Sequence, residues 1–173
     1  MSRMRTLAVG DIHGCNTALR QLLREVRPTP DDRLVFLGDY IDRGPDSRQV
    51  IDALIELRKT RSPIFLRGNH EVMMLNSRES FLKSDVWQSY GGRETAGSYG
   101  SDFGKDWESA IPDSHWGFFE QTVRYFETER HIFVHACLDP DLDLVEQPDW
   151  LSLLGVLRSD SASQIRKARD MRT

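Results

Sequence analysis

The sequence lacks a hydrophobic run long enough to cross a bilayer. No apolar stretch approaches the ~20 residues that a transmembrane helix needs, and the first residues lack the apolar segment of a signal peptide. An excess of positive charge is also absent, because the formal net charge is −4. These absences argue against a membrane protein and against a general nucleic-acid-binding surface. We therefore expect a cytoplasmic protein.

Cysteine is scarce, and neither Cys15 nor Cys137 has the spacing of a metal knuckle or a redox pair. We interpret both as small buried thiols. With 39% hydrophobic and 29% charged residues, the composition is that of an ordinary globular protein. A length of 173 residues favours one domain with a sizeable core.

Apolar patterning predicts alternating strands and helices in the amino-terminal part of the chain. Short apolar runs predict strands at 4–9, 33–37 and 63–66, and amphipathic helices are predicted over 16–26 and 47–57. This alternation is typical of a parallel α/β sheet. The functional crevice of such a sheet lies beyond the carboxyl ends of its strands, so the turns after the strands should meet there.

The remainder of the chain is predicted to be mostly helical before a last strand. Residues 70–130 have a helical pattern that is interrupted by a glycine-rich loop from Gly91 to Gly104, and a fourth strand is predicted at 131–136. We also expect Asp46 or Ser47 to cap the second amphipathic helix.

Polar and charged residues follow each predicted strand. The turns read GDIHG after the first strand, GDYIDRG after the second and RGNHE after the third, and the fourth strand ends at a histidine. Each motif alone is a weak signal, since it also fits a charged turn, a helix start or a core histidine. Their order at successive strand ends makes a shared site the better interpretation. The candidate site residues are Asp11, His13, Asp39, Asp42, Arg43, Asn69, His70 and His135.

Carboxylate, imidazole and amide groups in this combination suit divalent first-row metal ions. Asp11 and His13 would bind one ion, Asn69 and His135 would bind a second, and Asp39 has two oxygens with which to bridge them. Paired ions ~3.5–4 Å apart clamp a phosphoryl group, and a water that bridges them ionises near neutral pH for in-line attack. The pattern therefore predicts a dinuclear site for phosphate chemistry.

Three further residues would act on the substrate. Arg43 offers a guanidinium fork for phosphate oxygens. His70 would protonate the leaving oxygen, and Asp42 would hold the other ring nitrogen of His70. The two histidines without such a placement, His115 and His131, are interpreted as structural.

The set GDIHG, GDYIDRG, GNHE and HA closely resembles the calcineurin-like metallophosphoesterases over residues 4 to about 136. Within them it is similar to serine/threonine protein phosphatases and symmetrical diadenosine tetraphosphatases. The resemblance implies an α/β fold, a sandwich of two mixed β-sheets flanked by helices, over residues 1–157. It also implies the metal and catalytic roles given above, with manganese, iron or zinc as the ions.

One departure from the family pattern concerns the end of the chain. The family has a further metal-ligand histidine downstream, whereas His135 is the last histidine here, and residues 158–173 are a polar, basic tail. We therefore expect an incomplete second sheet, an uncovered sheet edge that favours a homodimer, and partial occupancy of the second metal. Arg158 is the nominee for the family's additional substrate arginine.

Three functions remain open on these residues. The first is a protein phosphatase acting on phosphoserine or phosphothreonine, and the second is hydrolysis of a dinucleoside polyphosphate, with Arg93 or an aromatic residue contacting the nucleotide. The third is a catalytically impaired protein that retains metal or phosphate binding. Intact His70, Asp42 and Arg43 favour an enzyme over the third alternative.

Overall fold

Helices and short strands alternate along the chain, in a computed structural model that describes residues 4–102 and 106–148. The elements in chain order are β1 (Thr6–Val9), α1 (Asn16–Val26), β2 (Arg33–Phe36), α2 (Ser47–Thr60), β3 (Ile64–Phe65), α3 (Asn69–Ser77), α4 (Phe81–Trp87), α5 (Arg93–Ser98), α6 (Asp113–Glu120), β4 (Tyr125–Glu127) and β5 (Ile132–Val134).

The first three strands form a parallel sheet in the order β1–β2–β3. Leu34 of β2 lies opposite Leu7 of β1, and Val35 lies opposite Ile64 of β3. Residues Leu34 to Phe36 are buried, which explains why the central strand has no polar alternation. The predicted parallel α/β unit is confirmed, and the carboxyl ends of its strands lie at one edge.

A second, smaller sheet consists of β4 and β5 in antiparallel pairing. The rings of Phe126 and Phe133 stack on it with their centroids 6.0 Å apart. A parallel bridge between Leu66 and Val123 joins the end of β3 to the segment before β4. The expected architecture of two sheets with flanking helices is confirmed, although β4 itself has no counterpart in the sequence prediction.

The segment predicted as a glycine-rich loop is helical over residues 91–98. A π-helical turn, Gln88–Gly92, leads directly into α5, and Gly91 has a positive φ of 109° inside it. The loop prediction is wrong here because Gly91 and Gly92 permit close packing and do not form a loop. A Cβ on Gly92 would lie 2.5 Å from the Trp87 ring.

Two smaller predictions also need correction. Cys15 is exposed and Cys137 is only partly buried, because both follow strand-end turns at the open edge of the fold. Asp46 lies at the N-cap of α2 but makes no side-chain cap hydrogen bond. The hydroxyl of Ser47 instead accepts the backbone N–H of Asp42 at 3.1 Å.

Several expectations concern residues beyond the described part of the chain. Arg158, the proposed boundary between residues 157 and 158, and the tail 158–173 all lie outside the described residues. Among the described helices, none has the length and apolar character that a membrane span requires.

His115 on α6 is buried in a hydrogen-bonded network that joins three helical segments. Its Nδ1 lies 2.8 Å from the hydroxyl of Tyr99, which follows α5, and its Nε2 lies 3.1 Å from a carboxylate oxygen of Asp52 on α2. Burial lowers the pKa of His115, and the nearby Asp52 charge only partly opposes this. The neutral ring therefore donates to Asp52 and accepts from Tyr99, in keeping with the predicted structural role.

Stability should decrease on acidification because of His115. A folded-state pKa below the ordinary value of 6.5 means that the stabilisation is present above pH 6.5 and is lost as the pH falls through the folded pKa. His115→Gln has no such titration, so its loss of unfolding free energy should be smaller at about pH 5.5 than at about pH 7.5. Urea denaturation at both pH values measures this, and an equal loss at the two would contradict it.

Candidate functional site

The turns after β1 and β2 are hydrogen-bonded to each other through the backbone of Asp39. The carbonyl of Asp39 accepts the N–H groups of Ile12 and His13, both at 2.9 Å, and Gly14 N–H donates to the Tyr40 carbonyl at 2.9 Å. Asp39 has a positive φ of 53°, which turns its carbonyl toward the first loop. The sequence expectation that these turns converge therefore agrees with the structure.

Two glycines bring the turns after β2 and β3 closer together than side chains would permit. A Cβ on Gly68 would lie 2.1 Å from Oδ1 of Asp39, and a Cβ on Gly38 would lie 2.5 Å from the nitrogen of Gly68. Gly38 also has a φ of 108°, which favours glycine on its own account. The close approach lets the Asp39 side chain reach the start of α3.

A buried carboxylate joins these same two turns. Glu71 of α3 accepts three backbone N–H groups at 2.9 Å, with Oε2 facing Asp39 and Gly68 and Oε1 facing Tyr40. Burial and the neighbouring Asp39 charge raise the pKa of Glu71, while its three donors act in the opposite direction. The sequence showed Glu71 only as an acidic residue in a first helical turn, so its role in holding the turns was missed.

The predicted metal ligands surround the Asp39 carboxylate. His13 Nε2 lies 3.6 Å from Asp39 Oδ2, and His135 Nε2 lies 3.4 Å from Asp39 Oδ1. Asp11 Oδ2 lies 3.9 Å from His13 Nε2, and Asn69 Oδ1 lies 3.0 Å from His135 Nε2. The two oxygens of Asp39 thus face two different histidines, as a bridging carboxylate would.

Two groups of donor atoms lie close enough together to bind one ion each. Their members differ slightly from the two sets of ligands predicted from the sequence. Within the described residues, donors lie within 4.8 Å of one another in two groups, and Asp39 belongs to both. The first group contains His70 in place of the predicted Asp11, and the second contains Asp11 beside His135. Asp11 is exposed, and its Oδ2 also lies 3.9 Å from His13 Nε2 of the first group.

The imidazole tautomers fit a cation. Nδ1 of His13 lies 2.9 Å from the Ile41 carbonyl, and Nδ1 of His135 lies 2.9 Å from the Leu37 carbonyl. Each Nδ1 therefore donates to a carbonyl, which leaves a lone pair on Nε2 of the neutral ring. The lone pair of His135 faces the amide oxygen of Asn69, and two neighbouring acceptors are suited to bind the same positive ion.

His70 and Asp42 form a buried pair beside this cluster. Nδ1 of His70 donates to Oδ2 of Asp42 at 2.7 Å, and both side chains are fully buried. Burial lowers the pKa of His70, but the hydrogen bond to Asp42 and the Asp39 charge outweigh it and raise the pKa overall. Burial raises the pKa of Asp42 as well, yet three donors converge on its carboxylate, which therefore accepts hydrogen bonds.

Arg43 is exposed and lies beside both His13 and His70. Its Nη1 lies 2.9 Å from His13 Nε2 and its Nη2 lies 3.2 Å from His70 Nε2. A guanidinium only donates, so Nε2 of His13 and Nε2 of His70 both accept. The positive charge of Arg43 therefore lies beside the lone pair of His13. The predicted site residues thus lie together, whereas His115 and His131, which were interpreted as structural, lie elsewhere.

Two buried residues on Asp42 were also missed in the sequence. Thr95 Oγ1 donates to Asp42 Oδ1 at 2.6 Å, and Trp87 Nε1 donates to Asp42 Oδ2 at 2.8 Å. Trp87 is the last residue of α4 and Thr95 lies in α5. The sequence near these residues contains only a tryptophan and a threonine on either side of Gly91 and Gly92. Such a local pattern does not indicate a hydrogen-bond partner more than 40 residues away.

The calcineurin-like phosphoesterase family matches this sequence over residues 4–166. The chain belongs to that family. Serine/threonine-protein phosphatase 1 of Salmonella typhimurium is 48% identical to this phosphoesterase chain over 85 residues, which are 49% of this chain and 37% of that protein. The symmetrical bis(5'-nucleosyl)-tetraphosphatase of Coxiella burnetii is 38% identical over 84 residues, 48% of this chain and 28% of the relative.

The fold of the phosphoesterase chain also agrees with a solved structure. A metallophosphoesterase from Sphaerobacter thermophilus superimposes with a TM-score of 0.59 at 17% identity, over 96% of this chain and 57% of the other. At that identity the likeness concerns the fold. The chain spans less than half the length of the two curated relatives described above.

Replacement of Glu71 by glutamine should destabilise the phosphoesterase fold. The amide nitrogen would face a backbone N–H that now meets a carboxylate oxygen, so one buried donor would lose its acceptor. We expect the free energy of unfolding to fall by about 2 kcal/mol. Urea denaturation followed by tryptophan fluorescence measures this change.

Glu56→Gln is the matched control. Glu56 is exposed on α2 and pairs with Lys59 at 2.8 Å, so its replacement should cost less than about 0.5 kcal/mol. Equal effects of the two substitutions would show that the three N–H contacts of Glu71 contribute nothing beyond a surface charge.

Proposed function

We propose that this protein is a metal-dependent phosphoric ester hydrolase, and specifically a serine/threonine protein phosphatase. The observation that carries the proposal is the convergence of carboxylate, imidazole and amide donors on Asp39. A buried histidine–aspartate pair and an exposed arginine lie against the same cluster. Ligands for cations, a proton donor and an anion binder are the components that phosphoryl transfer to water requires.

Two divalent ions are proposed as cofactors, with manganese first and iron or zinc as alternatives. Asp11, His13 and Asp39 would hold one ion, and Asp39, Asn69 and His135 would hold the other. The separations of 3.6 Å and 3.4 Å from the two Asp39 oxygens to the two histidines support the sharing of Asp39. When bound, such ions would lower the pKa of a water molecule and neutralise phosphoryl oxygens.

The protein's own residues would then bind phosphate and move one proton. Arg43 would hold two phosphate oxygens with its planar fork. Water loses a proton to solvent and forms the new bond to phosphorus while the bond from phosphorus to the ester oxygen breaks, and His70, protonated on both nitrogens, would give that oxygen the proton on Nε2. Asp42, 2.7 Å from Nδ1, would orient the ring and stabilise its protonated form.

The substrate class is proposed from the relatives. The protein phosphatase relative is more similar to this chain than the tetraphosphatase, at 48% against 38% identity over stretches of nearly equal length. Phosphorylated protein is therefore the first proposed substrate. The presence of the tetraphosphatase among the relatives supports a dinucleoside tetraphosphate as the alternative, with Arg93, which is exposed, available for nucleotide contact.

Hydrolysis of phenyl phosphate should depend on added Mn²⁺ and on His70. His70→Asn removes the proposed proton donor and should lower kcat by about 10²–10⁴-fold. His131→Asn is the control, because His131 is exposed and contacts the ring of Phe133 instead of the cluster. Metal-independent activity, or equal rates in the two variants, would overturn the proposal. One bound ion per chain without turnover would indicate the catalytically impaired alternative.

The substrates are separated by a direct comparison with Mn²⁺ present. A phosphatase should release phosphate from a phosphothreonine peptide faster than it cleaves diadenosine tetraphosphate, and the reverse order would favour the tetraphosphatase. Both reactions should be lost in His70→Asn, since the same residues serve both.

A homodimer and a cytoplasmic location stay predictions. Among the described residues β1 pairs only with β2, which leaves its other edge for pairing with a second copy. Sedimentation velocity measures the oligomeric state, and a monomer at micromolar concentration would contradict the dimer.

A further inference from the structure

The segment from Trp87 to Thr95 packs along the outer side of the turn after β2. Trp87 is the last residue of α4, Gly91 lies in the π-helical turn, and Thr95 lies in α5. All three contact Asp42 or Arg43, which are about 45 to 53 positions earlier in the chain. This segment has no part in the proposed chemistry so far.

The turn that this segment contacts is conformationally strained. Asp42 and Arg43 have φ values of 72° and 67°, and left-handed backbone costs a non-glycine residue roughly 1–2 kcal/mol. Two such residues in succession need support from outside the turn. Thr95 Oγ1 accepts the N–H of Asp42 at 2.8 Å, and the Gly91 carbonyl accepts the N–H of Arg43 at 3.4 Å.

The same segment supplies two of the three donors to the Asp42 carboxylate. Thr95 donates to Oδ1 at 2.6 Å, whereas Trp87 and His70 donate to Oδ2 at 2.8 Å and 2.7 Å. Thr95 therefore holds both the backbone and the side chain of Asp42. With both oxygens engaged, the carboxylate has one rotational position, and that position fixes the direction of the Nδ1–H of His70 and therefore the orientation of its ring.

Close packing makes the segment rigid. A Cβ on Gly91 would lie 2.6 Å from the nitrogen of Arg43, so no larger residue fits between the two turns. Trp87 is fully buried, and its ring packs on Trp107 with centroids 4.7 Å apart. The indole and the threonine hydroxyl are thus fixed before any substrate arrives.

We propose that Trp87 and Thr95 are positioning residues that hold Asp42, so that Asp42 keeps the Nδ1–H of His70 in place and directs Nε2, from which the protonated ring donates, toward the substrate. The inference rests on the proposed function, since His70 is the proton donor only in that reaction. Neither residue touches the substrate, and each acts through Asp42. Removal of the Thr95 hydroxyl takes the side-chain donor from Oδ1, and removal of the Trp87 N–H leaves Oδ2 to His70 alone, so in either case the carboxylate can rotate and misalign the imidazole.

A positioning role differs from a merely structural one in its dependence on the leaving group. A proton donor matters most when the departing oxygen is strongly basic and matters little when it is a stable anion. Thr95→Val, which keeps the shape and removes the hydroxyl, should therefore lower kcat about 10- to 100-fold with phenyl phosphate. With 2,4-dinitrophenyl phosphate the loss should be less than about 3-fold, and KM should be nearly unchanged for both.

Matched variants separate the hydroxyl from the rest of α5. Thr95→Ser restores the hydroxyl and should recover most of the rate, and Trp87→Phe, which lacks the N–H, should repeat the leaving-group pattern of Thr95→Val. Ser98→Ala is the control on the same helix, because Ser98 bonds to the carbonyl of Thr95 and to Arg48 N–H, away from Asp42. In a His70→Asn background, Thr95→Val should cause no further loss of kcat.

An NMR measurement tests the positioning without turnover. The chain has five histidines, so the Nδ1 and Nε2 signals of ¹⁵N-labelled histidine are few, and His70→Asn assigns the signal of interest. At a pH at which the ring is neutral, the wild-type protein should show the remaining proton of His70 on Nδ1, and Thr95→Val should show a mixture of the two tautomers. This result stands even if phenyl phosphate hydrolysis fails, which distinguishes the positioning from the proposed function.

Three results would overturn the inference. They are an unchanged His70 tautomer in Thr95→Val, an equal loss of rate for both aryl phosphates, and a further loss in the His70→Asn background. Any of them would assign Thr95 and Trp87 to stability of the fold alone.

Discussion

The backbone of Asp39 is the constraint on which the rest of the site depends. Its carbonyl binds the first turn through Ile12 and His13, and its N–H binds Glu71 on α3. Because the residue is left-handed, these contacts leave its side chain directed between His13 and His135. One residue thereby sets the relative position of three strand ends, and the spacing of the donor atoms follows from it.

Two buried carboxylates near this point show how their donors determine their use. Glu71 is surrounded by backbone N–H groups, which cannot leave, so it fastens the turns together. Asp42 accepts from side chains, and one of them is an imidazole whose other nitrogen faces Arg43. The carboxylate of Glu71 stabilises the scaffold, whereas the carboxylate of Asp42 acts on His70, which can exchange a proton.

The predictable part of the fold was the part with a regular period and adequate length. Strands β1 to β3 and helices α1 and α2 followed from apolar runs and helical stripes, and the meeting of their turns followed from the parallel arrangement. Strand β4, with only three residues, has no pattern to detect. The run from Gly91 resembled a loop because glycine has the same appearance in sequence whether it permits a turn or a close contact.

Residue types and their order along the chain were enough to identify Asp11, His13, Asp39 and His70 as members of one site, since the parallel strands end at the same edge. His135 follows β5 of the antiparallel sheet, so its place in the site followed from the order of the motifs and not from the parallel arrangement. The sequence also placed the chain near its family. Only the tertiary structure revealed how Asp42 is held, because Thr95 reaches it across 53 positions and a hydrogen bond between distant residues leaves no local pattern. Likewise, the direction of each Asp39 oxygen depends on one backbone angle, which neighbouring turns impose after folding.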